Sequence, residues 1–80
     1  NEERRKELFK SVKVLGEEAK VAVRNSRRDA IDSARASLKA SEITEDELKS
    51  IEEKVQKITD KFVEKIEGII SAKEKEIMEV

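Results

Sequence analysis

Apolar residues recur along the second half of the chain with the spacing of an amphipathic helix. Successive members of the row lie three or four positions apart, which fits a helix and not the alternation of a strand. From Phe62 onward a second row joins it, so the apolar face widens toward the C-terminus. We therefore predict one helix over about residues 45–78. The first row consists of Leu48, Ile51, Val55, Ile58, Phe62, Ile66 and Ile69, and the second of Val63, Ile70 and Ile77.

The first half of the chain repeats the helical spacing with smaller residues in the middle of its row. This spacing predicts a helix over about residues 3–39, and the small side chains would let another helix approach closely. The row consists of Leu8, Val12, Leu15, Ala19, Ala22, Ser26 and Ala30.

A strong local signal separates the two halves at residues 40–44. Thr44 is a good N-cap, and Glu47 three positions later completes a capping box. Ile43 and Leu48 form the matching hydrophobic staple. The sequence therefore predicts an all-α fold, a long antiparallel helical hairpin in a single domain over 1–80.

A lone pair of helices leaves much of its apolar surface in water, and the widened end most of all. The missing cover is therefore expected to be a third helix, a second copy of this chain or another protein. We predict a homodimer or a partner protein that supplies a helix.

The composition excludes several classes of function. The chain has no Cys and no His, which removes thiol chemistry, imidazole catalysis and most zinc sites. Paired carboxylates such as Glu17 with Glu18, or Glu52 with Glu53, are typical of a solvated helix among many lysines. We predict no catalytic residue, no metal, no cofactor and no enzymatic activity.

No apolar run approaches the length of a membrane span and no signal peptide is visible, so we expect a cytoplasmic protein without membrane association.

The basic residues are distributed unevenly. All six arginines lie in the first half, and no acid stands between Lys20 and Arg28. Arg24, Arg27 and Arg28 share one helical face with Lys20 a turn before them. Two interpretations stay open on the residues alone, a solvated face with pairs such as Arg28 and Asp32, or a phosphate-binding surface. With no aromatic residue interleaved, nucleic-acid contact would be to the backbone.

Several segments resemble one known family. They are NEERRKEL at 1–8, EEAKVAVRNSRRDA at 17–30, ITEDEL at 43–48, VQKITDKF at 55–62 and AKEKEIMEV at 72–80. Together they resemble bacterial ribosome recycling factor nearly end to end.

The resemblance implies a long three-helix bundle with a small β-rich domain inserted after its first helix. It also implies action with elongation factor G in splitting the ribosome after termination, with the bundle against RNA of the large ribosomal subunit. The arginines of the family's VRN-x-RR motif face that RNA, and here they are Arg24, Arg27 and Arg28. The resemblance therefore favours Lys20, Arg24, Arg27 and Arg28 as nucleic-acid-binding residues.

Two departures from the family pattern keep a second hypothesis open. The chain starts where the family's sequence returns from the β-rich domain, so no activity is expected from it alone. The run IDSARASLKAS at 31–41 is unlike the family, and Ser26 stands where the family usually has Val or Ile. The alternative is an engineered helical scaffold that presents an epitope or a binding segment, with an antibody as its possible partner.

Overall fold

The computed structural model describes residues 1–79, which form two long helices. Helix α1 spans Glu2–Lys39 and helix α2 spans Glu45–Glu79. They lie side by side in an extended hairpin of about 60 × 15 × 9 Å, with no strand among the described residues. The predicted all-α helical hairpin is confirmed. The helices extend one residue beyond the predicted bounds, at the start of α1 and at the end of α2.

Side-chain caps fix where each helix begins. The Asn1 side chain accepts a hydrogen bond from the Arg4 backbone N–H at 3.0 Å. At the start of α2, the Glu47 N–H donates to the Thr44 hydroxyl at 3.1 Å, and the Thr44 N–H donates to the Glu47 carboxylate at 3.0 Å. This reciprocal pair is the predicted capping box, and it satisfies two backbone donors that α2 would otherwise leave unpaired.

The end of α1 is a Schellman motif with serine in the position that usually holds glycine. The Glu42 N–H donates to the Ser37 carbonyl and the Ser41 N–H to the Leu38 carbonyl, both at 2.9 Å. Ser41 has a φ of 60°, the left-handed conformation that this motif requires. Because no glycine marks the site, the sequence predicted a tight turn here but not its type.

The two helices pack through a different row of α1 than the spacing of its small residues suggested. The row next to α2 runs through Phe9, Gly16, Val23 and Ile31, which are buried or half-buried. A Cβ built on Gly16 would overlap the Ile70 side chain, so the glycine leaves the space that this side chain fills. The residues that the predicted row placed between the helices are mostly exposed; these are Leu8, Leu15, Ala22, Ser26 and Ala30.

Helix α2 likewise carries two apolar rows, of which one meets α1. Thr59, Val63, Ile66 and Ile70 are buried or half-buried, whereas Ile58, Phe62 and Ile69 are exposed. The Thr59 hydroxyl donates to the Val55 carbonyl at 2.8 Å, which satisfies the buried polar group within its own helix. The exposed rows of the two helices lie on the same side of the hairpin and form an uncovered apolar surface, which we call the outer face.

Two salt bridges join the helices and show which residues of α1 and α2 lie at the same level. Lys20 lies 3.4 Å from Glu67, and Arg35 lies 3.4 Å from Glu52. The arginine row of α1 is therefore level with the middle of α2.

Candidate nucleic-acid interface

The four basic residues singled out by the sequence occupy three consecutive turns of α1. Arg24 and Arg28, one turn apart, are exposed to solvent. Arg27 is half-buried because it lies closer to α2. Lys20 is one turn before Arg24, on the side toward α2. The structure thus places two of the arginines in solvent and the other two basic residues at the border between the helices.

A shallow depression of about 440 Å³ brings Arg24 and Arg27 together. Its opposite wall comes from α2 and includes Asp60, Glu64 and Glu67. Arg28 does not line this depression. These carboxylates lower the positive potential beside Arg24 and Arg27, so Arg28 is the arginine least offset by the second helix.

Lys20 is already engaged by carboxylates of both helices. Its ammonium group lies 3.5 Å from Glu17 and 3.4 Å from Glu67, and only 15% of its side chain is exposed. Its position fits a structural link between the helices. To contact phosphate, Lys20 would have to leave these carboxylates. The case for Lys20 as a nucleic-acid-binding residue is therefore weaker than the case for the arginines.

The three arginines, in contrast, have no ion pair or hydrogen bond from their side chains within residues 1–79. The predicted Arg28–Asp32 pair is not formed there. A guanidinium group is planar, permanently charged and able to donate two parallel hydrogen bonds to a phosphate. A row of such groups with free donors, of which Arg24 and Arg28 are exposed, is chemically suited to a polyanionic backbone.

Sequence reasoning missed the acidic residues that face the arginine row. Asp60, Glu64 and Glu67 are three or four positions apart on α2, so their shared face could have been read from the sequence. Their meeting with Arg24 and Arg27 could not, because it depends on which row of each helix packs inward.

Other kinds of site receive no support from the described residues. Within residues 1–79, no group of three or more acidic side chains is placed to hold a metal ion. Neither described helix is long and apolar enough to cross a membrane.

Fold and surface together define a helical-hairpin protein with an exposed arginine row on one helix and an uncovered apolar face between its two helices. The family model for ribosome recycling factor matches residues 1–78, and the chain belongs to that family. The resemblance read from the sequence motifs is thereby confirmed.

Curated relatives agree with the family match. The chain is 63% identical to the ribosome-recycling factor of Caldicellulosiruptor saccharolyticus over 79 residues, which cover 99% of this chain and 43% of that protein. It is 58% identical to the ribosome-recycling factor of Streptococcus mutans over 79 residues, which again cover 99% of this chain and 43% of that protein. It is 55% identical to the ribosome-recycling factor of Thermosynechococcus vestitus over 78 residues, which cover 98% of this chain and 43% of that protein.

The chain therefore spans less than half the length of the relatives it matches. The family match supports the interpretation as part of a ribosome recycling factor. Neither the structure nor these relatives favour the engineered scaffold or its antibody partner.

Proposed function

We propose that this chain is the part of a ribosome recycling factor that contacts the RNA backbone of the large ribosomal subunit while the ribosome is split after termination. The observation that carries the proposal is the arginine row of α1. Arg24 and Arg28 are exposed, Arg27 is half-buried, and none of the three side chains has a protein partner within residues 1–79. Lys20 contributes mainly by holding α1 against α2 through its pair with Glu67.

The role is one of binding and not of chemistry. Membership of a translation-factor family supports a non-enzymatic function, with elongation factor G as the protein partner and the cytoplasm as the place of action. Because the chain spans 43% of its relatives, we propose that it binds without splitting ribosomes by itself.

The contact is directed at phosphate and not at bases. The Arg24 and Arg28 side chains extend from a helix surface that carries no aromatic residue, so no platform for base stacking is present beside them. Three arginine–phosphate contacts would each release counterions, which makes the affinity fall steeply with salt.

The test measures binding of the chain to isolated large ribosomal subunits across a salt series. Replacing Arg24, Arg27 and Arg28 by alanine should weaken binding, and should lower the slope of log K against log salt by roughly 2 to 3 for three lost contacts. The matched control replaces Lys49, Lys54 and Lys57 of α2 by alanine, which removes the same charge from the other helix.

The two triple variants separate a defined contact from general attraction. A large loss for the arginine variant and a small one for the lysine variant supports the proposal. Equal losses, or an unchanged slope for the arginine variant, would contradict it.

A further inference from the structure

Two of the three carboxylates opposite the arginine row are occupied by other groups of the protein. Asp60 accepts a hydrogen bond from the side-chain amide of Gln56 at 2.9 Å, one turn away on the same helix. Glu67 pairs with Lys20 at 3.4 Å. Both carboxylates line the depression that also holds Arg27. The acids nearest to the arginine row are therefore not free to pair with it.

Arg27 and Asp60 lie opposite each other in the hairpin. Lys20 and Glu67 are in contact across the two antiparallel helices. Arg27 comes seven residues after Lys20 on α1, and Asp60 comes seven residues before Glu67 on α2, so the two lie at the same level. Yet no ion pair joins them within residues 1–79. The hydrogen bond from Gln56 directs the Asp60 carboxylate along α2, toward the turn end, and not across to α1.

We propose that Gln56 is a positioning residue for the arginine row. By holding the Asp60 carboxylate along α2, it keeps the Arg27 guanidinium free for a phosphate of the RNA backbone. The inference rests on the proposed function, because it concerns which protein group competes with RNA for Arg27. Gln56 acts through Asp60 and needs no contact with RNA.

A carboxylate and a phosphate compete for the same donors of a guanidinium group. Each presents two oxygens that match the guanidinium fork, so an Arg27–Asp60 pair would occupy the N–H groups that a phosphate needs. An exposed pair of this kind shifts an equilibrium by a factor of up to about five. A glutamine four residues before an aspartate on a helix is suited to prevent it, because its neutral amide donates to the carboxylate at favourable spacing.

The other two carboxylates of the depression do not offer an equally clear test. Glu67 is held by Lys20, but replacing Lys20 would remove a positive charge and a link between the helices at once. Glu64 is exposed and has no ion pair or hydrogen bond from its side chain within residues 1–79. It lowers the potential of the row through space, and no neighbour holds it. Gln56 is therefore the residue whose change alters one carboxylate and no charge.

Binding of the chain to isolated large ribosomal subunits tests the role of Gln56. Gln56→Ala frees Asp60 to pair with Arg27, so it should weaken binding about two- to fivefold. It should also lower the slope of log K against log salt by up to about 1, as the loss of one phosphate contact does. Alanine is at least as favourable as glutamine in a helix, so the weaker binding would not come from an unfolded α2.

Asp60→Asn provides the rescue. Asparagine cannot form an ion pair with Arg27, so Gln56→Ala combined with Asp60→Asn should bind at least as tightly as the parent chain. Asp60→Asn alone should bind up to about fivefold more tightly, because it removes a negative charge beside the row. A loss that persists in the combined variant would overturn the proposal, since Gln56 would then act without Asp60.

The control is Asp46→Asn, the same substitution at an exposed position of α2. It lies 14 residues from Asp60, or about 21 Å along the helix, which is about twice the screening length at 0.1 M salt. The control should bind as the parent chain does. Equal gains from the two asparagine variants would overturn the local effect of Asp60 on Arg27.

Hydrogen exchange in the free chain supplies a readout that does not involve the ribosome. NMR follows exchange of the Arg27 Nε–H with water, which an ion pair to a carboxylate slows. Exchange should be slower in Gln56→Ala than in the parent chain, and should return to the parent rate when Asp60→Asn is added. An unchanged rate in Gln56→Ala would show that Gln56 does not hold Asp60 away from Arg27.

Together the two readouts separate this inference from the proposed function. If the triple arginine variant binds ribosomal subunits as the parent chain does, the arginine row is not the contact and the proposed function fails, whatever the exchange rates show. If the triple variant binds weakly but Gln56→Ala changes neither binding nor exchange, the arginine contact stands and only the role of Gln56 is overturned.

Discussion

At the turn end of the hairpin the two helices bury one another, whereas at the open end they leave large apolar side chains in water. Ile31 and Ala34 are buried near the turn, and the Schellman motif and the capping box close the chain there. Toward the open end, Leu8, Leu15 and Ile69 are exposed. The turn end is stabilised by contacts within the hairpin, whereas the open end keeps apolar surface exposed.

The difference follows from the number of apolar rows at each end. Near the turn, Ile31 and Ala34 are only 8% and 7% exposed, so one neighbouring helix suffices to cover the inner row of α1 there. Toward the open end both helices carry two apolar rows, and a single neighbouring helix can cover only one of them. The two helices can therefore pack together and still leave an apolar row uncovered at one end.

The largest difference in free energy of unfolding is expected when an isoleucine is truncated to alanine at each of the two ends. Ile31 is 8% exposed and Ile69 is 61% exposed. Ile31→Ala should lower the free energy of unfolding by about 2–4 kcal/mol, because it leaves a cavity between the helices. Ile69→Ala should change it by less than about 1 kcal/mol in dilute protein, where its side chain loses little burial.

Urea unfolding of both variants in dilute protein checks this prediction. Equal costs for the two variants in dilute protein would show that the open end is already buried by the chain itself.

Sequence periodicity was sufficient to predict the two helices and the turn between them. It was not sufficient to predict which apolar row of each helix faces the other helix. The rows that begin at Leu8 and at Phe9 differ by one position, or about 100° around the helix, and both are apolar at helical spacing. The choice depends on close packing, here of Gly16 against Ile70, which a single-chain pattern does not contain. The candidate site shows the same limit. The arginines were visible in the sequence, but the carboxylates opposite them became evident only with the packing known.

The second prediction compares the two glycines, one between the helices and one away from them. A Cβ at Gly16 would overlap Ile70, whereas a Cβ at Gly68 would meet no atom within 4 Å. Gly68→Ala should raise the free energy of unfolding by about 1 kcal/mol through helix propensity alone.

Gly16→Ala gains the same propensity but forces Ile70 to move, at a cost of about 1–3 kcal/mol. The free energy of unfolding of Gly16→Ala, measured by chemical denaturation, should therefore be roughly 2 kcal/mol lower than that of Gly68→Ala. If Gly16→Ala stabilises as much as Gly68→Ala does, the helices do not approach closely at this point and the packing described for the open end is wrong.

The smallest expected effect is at the turn, where serine adopts a conformation suited to glycine. Ser41 has a φ of 60°, and a residue with a Cβ pays about 1 kcal/mol for the left-handed conformation. Glycine avoids this cost but has more freedom in the unfolded chain, so Ser41→Gly should raise the free energy of unfolding by about 0.5 kcal/mol. The control is Ala40→Gly, one residue earlier at a φ of −81°, where glycine brings only its entropic cost and should destabilise by a similar amount. Thermal melts of the two variants should therefore shift in opposite directions. If both lower the melting temperature, the turn does not hold Ser41 in the left-handed region, and the Schellman motif does not account for the stability of the closed end.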